Sequence, residues 1–561
     1  MRIFTYFMVF VLIILPLFAA GQAADTKGKP LTPGEQMDKL FEFWNRLDQP
    51  GFAVSVVKDG QVAYEKVFGL ACQEHAVAIT PNSVFNSATL AQVFVGQAVA
   101  MLEARGKLNL DDDVRKFIPE IPNFGTTIRL RHLVYHSSGL RDWLPVLQLL
   151  GKSNEEVTLG KVLTILKAQK QLIFPPGDRF EYSATNYDLL AEVIKRATGL
   201  PFSDWAWENI FKPMKMTRTQ FRDNYRSIID DQAFSYNFTR KEYLRGIDNA
   251  SLVGSHSLFT SISDLTKWLL SLETGQVGAP DILAKMFTPG KLNNGGDSAF
   301  GYGLRIGTNS SKRQASQTGE WAGSGVSLVY FPDQKFGLAV LANWDYTPIE
   351  GFAPDIINIY MPAAPASLPT SVRPMTGPKS GLKVGPAILD RYAGTYRLGP
   401  GQIFLISRQG NQLFLGFSGQ KFPLTTQSET EFSLDFAGVE LVFKKNSAGK
   451  FDRLVWSQGG IEQVAPKVVL IKPTPMELRE FAGAYLNEEL NLTIGIELRG
   501  SELVLIPSDQ AEVRLSPDEK DHFVSGDRSF PVVIFQRDSQ DRITGFIIDA
   551  DSIRDLIFKK K

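Results

Sequence analysis

An internal repeat sets the architecture of the last third of this chain. Tyr392-Ala-Gly-Thr-Tyr396 recurs as Phe481-Ala-Gly-Ala-Tyr485, and Gln412-Leu-Phe-Leu recurs as Glu502-Leu-Val-Leu. Phe432 answers to Phe523, and Val442-Phe-Lys-Lys answers to Ile534-Phe-Gln-Arg. The offset drifts only from 89 to 92 residues, so two copies of one module are the economical reading. Each copy alternates short apolar runs with turn residues, which is the pattern of a small closed β-barrel. The repeated Gly-x-Tyr reads as a bulge followed by a core aromatic.

The preceding part has a different character. Ala53 to Tyr64 reads as two strands around an Asp-Gly turn. Val93 to Arg105 reads as a helix ended near Gly106, and Tyr187 to Thr198 as a helix stopped by Gly199 and Pro201. Val326 to Phe331 and Phe336 to Leu341 read as a strand pair. Pro362 to Gly385 is rich in Pro, Ala, Ser and Gly and reads as a linker. The expected organisation is a signal peptide over 1–23, a mixed α/β domain over 35–361, a linker over 362–386, and β-barrels over 387–472 and 473–561.

The signal peptide rests on one early charge, an apolar run from Phe7 to Phe18, and small residues before a cut after Ala23. The mature chain is therefore expected in the periplasm or secreted, with no stable membrane anchor after cleavage. Cys72 is the sole cysteine, so an intramolecular disulfide and a cysteine zinc cluster are both excluded. Stability must come from a large buried core. Lys+Arg and Asp+Glu are 60 each, so no basic field exists to attract nucleic acid. The five histidines show no metal-ligand spacing, and no metal or organic cofactor is implied.

Several segments of the first 355 residues, taken in order, resemble the serine β-lactamase and penicillin-binding-protein-like superfamily. They are Thr80-Pro-Asn-Ser-Val-Phe85, Gly106-Lys-Leu-Asn-Leu, Leu130 to Leu140 with His136-Ser-Ser-Gly139, and Phe174-Pro-Pro-Gly-Asp-Arg-Phe-Glu-Tyr182-Ser. Ser261-Ile-Ser-Asp264 and Phe300-Gly-Tyr-Gly303 complete the set. Each segment is weak alone; their shared order is specific. D-aminopeptidases of this superfamily resemble the whole layout, with two eight-stranded barrels after the catalytic domain. The resemblance implies an α/β (α+β) transpeptidase-like fold, an antiparallel sheet flanked by helices with a helical insert.

It also implies a mechanism. A Ser in Ser-x-x-Lys attacks a carbonyl, the Lys and a Tyr from Tyr-x-Asn move its proton, and a Lys or His before Thr-Gly completes the pocket. Backbone N–H groups hold the oxyanion. In this sequence Ser-x-x-Lys has become Thr89-Leu-Ala-Gln92, the Asn partner of Tyr182 is Ala184, and the third motif is Gln317-Thr318-Gly319. Of the family's polar side chains only Tyr182 stands unchanged, with Thr89 keeping a hydroxyl. A glutamine is no base near neutral pH, and general-base help is worth roughly a hundred- to ten-thousand-fold. The site therefore reads as catalytically degenerate.

Other polar residues have structural readings beside functional ones. His136 belongs to a turn, Asp264 to a helix cap, and His256 to the core. Glu320 is either a replacement base facing Thr89 or Tyr182, or a surface turn residue. Trp321 either walls the pocket or packs. Three functions follow: a non-catalytic binder of small peptide or peptidoglycan-like ligands, a hydrolase of amides or esters using Thr89 with Tyr182, or a structural protein whose barrels do the work. Oligomeric state is not legible.

Overall fold

The computed structural model describes residues 31–561 except 240, 276–279, 346, 363–383, 400–401, 418–419, 435–438, 459–460, 508–510, 526, 528–529, 550–552 and 554–555. The expected signal peptide and nearly all of the expected linker lie outside the described residues. Two compact units meet in sequence near residue 364.

The first unit is built on a six-stranded antiparallel sheet. Its strands are β1 (Phe52–Lys58), β2 (Gln61–Phe68), β3 (Arg305–Asn309), β4 (Lys312–Trp321), β5 (Ser324–Phe331) and β6 (Phe336–Ala342), in the order β3-β4-β5-β6-β1-β2. The β1–β2 turn is Asp59-Gly60, with φ 50° and 75°, the left-handed pair that matches strand twist. β1, β5 and β6 are buried along nearly their whole length because both sheet faces are covered. On one face α1 (Pro33–Leu40) and α5 (Ile349–Tyr360) bury Met37, Phe352 and Ile356 against Phe52, Val54, Val340 and Leu338. On the other face α4 (Ile262–Thr274) packs on β1 and β6.

The segment between β2 and β3 carries α2 (Ala91–Ala104) and α3 (Ala184–Thr198). α2 is buried from Ala91 to Leu102 and is apolar there apart from Gln92 and Gln97, as suits a helix enclosed by others. It lies so close to the Gly301–Gly303 turn that a Cβ on Gly303 would stand 2.1 Å from the Gln92 carbonyl oxygen. That approach explains the glycine of Phe300-Gly-Tyr-Gly303. α3 begins at Ala184, not at Tyr187 as the apolar pattern suggests. Its first N–H is capped from a distance, by the Asp142 carboxylate at 3.0 Å, which no local sequence signal announces.

The second unit holds the two β modules. The later one is a closed eight-stranded barrel running from Gly483–Asn487 to Leu556–Lys560. The earlier one is a nearly closed barrel. It is a nine-stranded sheet whose end strands, Gln420–Pro423 and Thr425–Thr426, are not paired to each other. Around Pro423 the two short strands pair with different neighbours. In the later barrel the corresponding strand Val513–Glu519 turns the corner unbroken.

The repeated Gly-x-Tyr has one physical use in both modules. Each tyrosine is fully buried, and its hydroxyl donates to the carbonyl four residues earlier, Tyr396 to Tyr392 at 2.8 Å and Tyr485 to Phe481 at 2.7 Å. The glycines take φ 151° and 152° and leave room for a lysine stem from the last strand, Lys467 and Lys560. Those lysines cap the preceding helical turn at the Arg391 and Glu480 carbonyls. Arg397 of the first module pairs with Asp518 and Glu519 of the second.

Replacing Tyr485 by Phe removes the hydroxyl donor from a buried carbonyl, at a cost of about 1–3 kcal/mol. Hydrogen exchange read by mass spectrometry should show faster opening of Gly483–Asn487 and Leu556–Lys560, with the first unit unchanged. Unaltered exchange would mean that the bond contributes nothing.

Candidate active site

The site assembles where the start of α2 meets β4. The strand Val84–Asn86 leads through Ala88, at φ 47°, into a single tight turn and then α2, so Thr89 is presented at the head of the helix. Left-handed backbone at an alanine costs energy and persists only when neighbours fix it. They do: Asn86 Oδ1 accepts the Ala88 N–H at 3.0 Å, and both the Ser87 N–H and hydroxyl donate to the Leu258 carbonyl at 2.9 Å. Thr89 is half-buried. Its Oγ1 stands 3.5 Å from the Thr318 carbonyl, at the outer limit of a hydrogen bond. A Cβ at Gly319 would lie 2.0 Å from that same Oγ1, so only glycine permits β4 to come this close.

Gln92 follows one turn along α2 and is wholly buried. Its Nε2 donates to the Tyr182 hydroxyl at 2.7 Å, and its Oε1 lies 3.2 Å from His136 Nε2. His136 Nδ1 already accepts the Ser183 N–H at 3.2 Å and faces Asn186 Nδ2 at 3.2 Å. The imidazole therefore carries its proton on Nε2 and donates it to Gln92. The donors run in one direction, Ser183 to His136 to Gln92 to Tyr182. The Tyr182 oxygen is the acceptor at the end, so its own O–H is left to donate elsewhere. Gln317 is spent differently: its Nε2 donates to the Thr89 carbonyl at 3.0 Å and braces β4 against α2.

The electrostatics agree with this neutral chain. Burial drives the His136 imidazole down to about 3, so it is uncharged at any ordinary pH. Burial first, and the Asp142 carboxyl second, push the Tyr182 phenol well above the usual tyrosine range, outweighing the bond from Gln92. The side chain is 36% exposed, so it remains reachable while staying protonated. Burial also lifts Asp142 to about 6 and Asp188 to about 7. The charged groups that act most on Tyr182, Asp142 and Asp188, are acids.

The structure thus brings together Thr89, Gln92, Tyr182, Gln317 and Gly319. Ala184 adds only its backbone N–H to the Asp142 cap. Thr318 and Glu320 fall on the other face of the sheet. Side chains alternate along a strand, and Gln317 and Gly319 face α2. Glu320 sits opposite Gly325, which faces Ile349 of α5. Glu320 is exposed there, away from Thr89. Asp264 is buried and holds the Arg218 N–H and Thr219 hydroxyl, while Ser261 caps α4. His256 is buried, with Nδ1 2.8 Å from the Ser255 hydroxyl. Sequence reasoning missed that His136 touches the site and that Asp248 supports it. His136-Ser-Ser-Gly139 was a visible signal for the first; nothing local signals the second.

A family model described as Beta-lactamase matches residues 38–358, more than half of the chain. The chain belongs to the beta-lactamase family. Penicillin-binding protein 4* of Bacillus subtilis is 26% identical over 451 residues, covering 76% of this chain and 98% of that protein. Protein flp of Staphylococcus aureus is 26% identical over 338 residues, covering 58% and 66%. Among solved structures, an octameric penicillin-binding protein homologue from Pyrococcus abyssi superposes with a TM-score of 0.53 at 20% identity, covering 84% and 98%, a likeness of fold.

The His136 imidazole is held neutral in the fold but titrates near 6.5 when unfolded. The unfolded state therefore binds more protons between those values. The stability this residue confers is complete above about 6.5 and declines as pH falls toward 3. Denaturant unfolding of the wild type beside His136→Gln should show the wild-type advantage shrinking over that window. An advantage independent of pH would contradict the neutral, Nε2-protonated imidazole.

Proposed function

We propose that this protein is an exported, non-catalytic member of its family whose cleft binds peptidoglycan fragments or D-amino-acid peptides. The observation that carries this reading is the 2.7 Å hydrogen bond from Gln92 to Tyr182. Accepting a proton from Thr89 would require a free lone pair of adequate basicity. Gln92 is an amide, its oxygen faces the His136 N–H, and Tyr182 is a protonated phenol that receives rather than gives within the chain. An unactivated hydroxyl is a weak nucleophile, and the extra methyl of threonine crowds the approach to a carbonyl. What remains is a set of oriented neutral donors, suited to holding a peptide carbonyl. Export rests on the apolar run Phe7–Phe18 and the small residues up to Ala23. No helix among the described residues is long and apolar enough to cross a membrane.

The competing reading, a hydrolase with Thr89 as nucleophile and Tyr182 as proton carrier, draws on the strained turn at Ala88 that still presents Thr89. Intact-mass spectrometry after exposure to a fluorophosphonate and to a penicillin separates the two. The wild type should remain unmodified. An adduct that disappears in Thr89→Ala would overturn the non-catalytic reading. A muropeptide ending in D-alanyl-D-alanine should bind by calorimetry, and Tyr182→Phe should weaken it by about five- to fifteen-fold through loss of one hydrogen bond. Absence of muropeptide binding would remove the ligand class.

A further inference from the structure

We propose that Trp321 is the specificity-determining residue of this cleft, forming the fixed wall of a subsite for an uncharged aromatic side chain. The proposal rests on the binding reading above and deepens it. Trp321 is the last residue of β4 and shares its face with Gln317 and Gly319. Gly319 touches Thr89, so the indole begins roughly 7 Å further along the strand, at two residues' rise. That distance is one side chain away from a carbonyl held at Thr89.

The indole is clamped rather than loosely packed. Its Nε1 donates to Asp248 Oδ1 at 2.9 Å. The other oxygen of that carboxylate accepts from Arg222 at 2.7 Å and from Asn86 at 2.9 Å. Arg222 and Asp248 are each only 7% exposed, which makes their pairing insensitive to solvent. Asn86 is the residue that holds the Ala88 N–H. One buried carboxylate therefore positions both the Thr89 turn and the indole, on either side of the same cleft.

The contacts of the ring leave it available. His256 lies against it at 4.4 Å and 36°, and Trp143 meets it edge-on at 6.3 Å. Even so, Trp321 is only half-buried. Gly246 is pressed onto the Ala322 carbonyl, where a Cβ would stand 1.8 Å away, and the adjoining Ile247 is 76% exposed. A rigid, part-exposed indole beside an exposed isoleucine favours a flat apolar partner, which stacks at little entropic cost.

The test titrates the full-length protein with N-acetyl-D-phenylalanine amide and N-acetyl-D-alanine amide by calorimetry, in the wild type, Trp321→Ala and Trp321→Phe. The wild type should favour the phenylalanyl probe by about tenfold or more. Trp321→Ala should lose that preference while keeping its affinity for the alanyl probe, and Trp321→Phe should restore most of it. A wild type that binds neither probe, or both equally, overturns the subsite. So does a preference that survives in Trp321→Ala. The muropeptide of the preceding experiment, run alongside, keeps the two claims apart. Phenylalanyl preference without muropeptide binding leaves the subsite standing and removes the peptidoglycan reading. Muropeptide binding without phenylalanyl preference removes the subsite alone.

Discussion

The first unit depends on the pairing of β1 with β6, which joins Phe52 to Ala342 and so closes the chain across nearly the whole unit. Such long-range pairing costs loop entropy and must be held by more than its own ladder. Buried Asn343 supplies the lock. It accepts the Gly51 N–H at 2.8 Å and donates to the Leu70 and Phe234 carbonyls at 3.0 and 2.9 Å. Four chain segments are thereby tied at one amide. With β1 and β6 joined, β5 and β4 follow by short turns, and β4 arrives as the wall against which α2 sets Thr89. The cleft is a consequence of this closure rather than of any local preference near Thr89.

Within the cleft, the polar side chains behind Thr89 are linked by neutral hydrogen bonds. The Ser183 N–H, the His136 ring, the Gln92 amide and the Tyr182 hydroxyl are joined in series through neutral groups. A chain of this kind is rigid and inexpensive to bury, because it carries no charge to desolvate. Gln317 extends the same logic by spending its amide on the Thr89 carbonyl, a brace and not an electrostatic contribution to a ligand.

The sequence made some of this legible and hid the rest, for identifiable reasons. Local periodicity and turn chemistry revealed the Asp59-Gly60 hairpin and the repeated modules. The lysines that make sense of Gly394 and Gly483 were hidden because they lie at the opposite end of each module, on the strand that completes it. The resemblance in ordered segments located Thr89, Gln92, Tyr182 and Gln317, since their motifs are spaced by scaffold rather than by chemistry. Glu320 shows where adjacency in sequence misleads: one step along a strand reverses the face. Asp248 was out of reach of sequence reasoning altogether. It meets Trp321 from 73 positions away, with α4 and β3 lying between them in sequence.

Gln92 suits its fully enclosed position on electrostatic grounds. A lysine fully enclosed at that point would need a counter-charge, and the nearest carboxyls, Asp142 and Asp188, are held toward their neutral forms by burial. Glutamine reaches the same two neighbours, donating to Tyr182 and accepting from His136, and asks for no counter-charge. Once it is there, restoring a lysine alone would place an unpaired cation beside the His136 N–H, a donor that it would repel. The amide and the orientation of the histidine are therefore mutually stabilising.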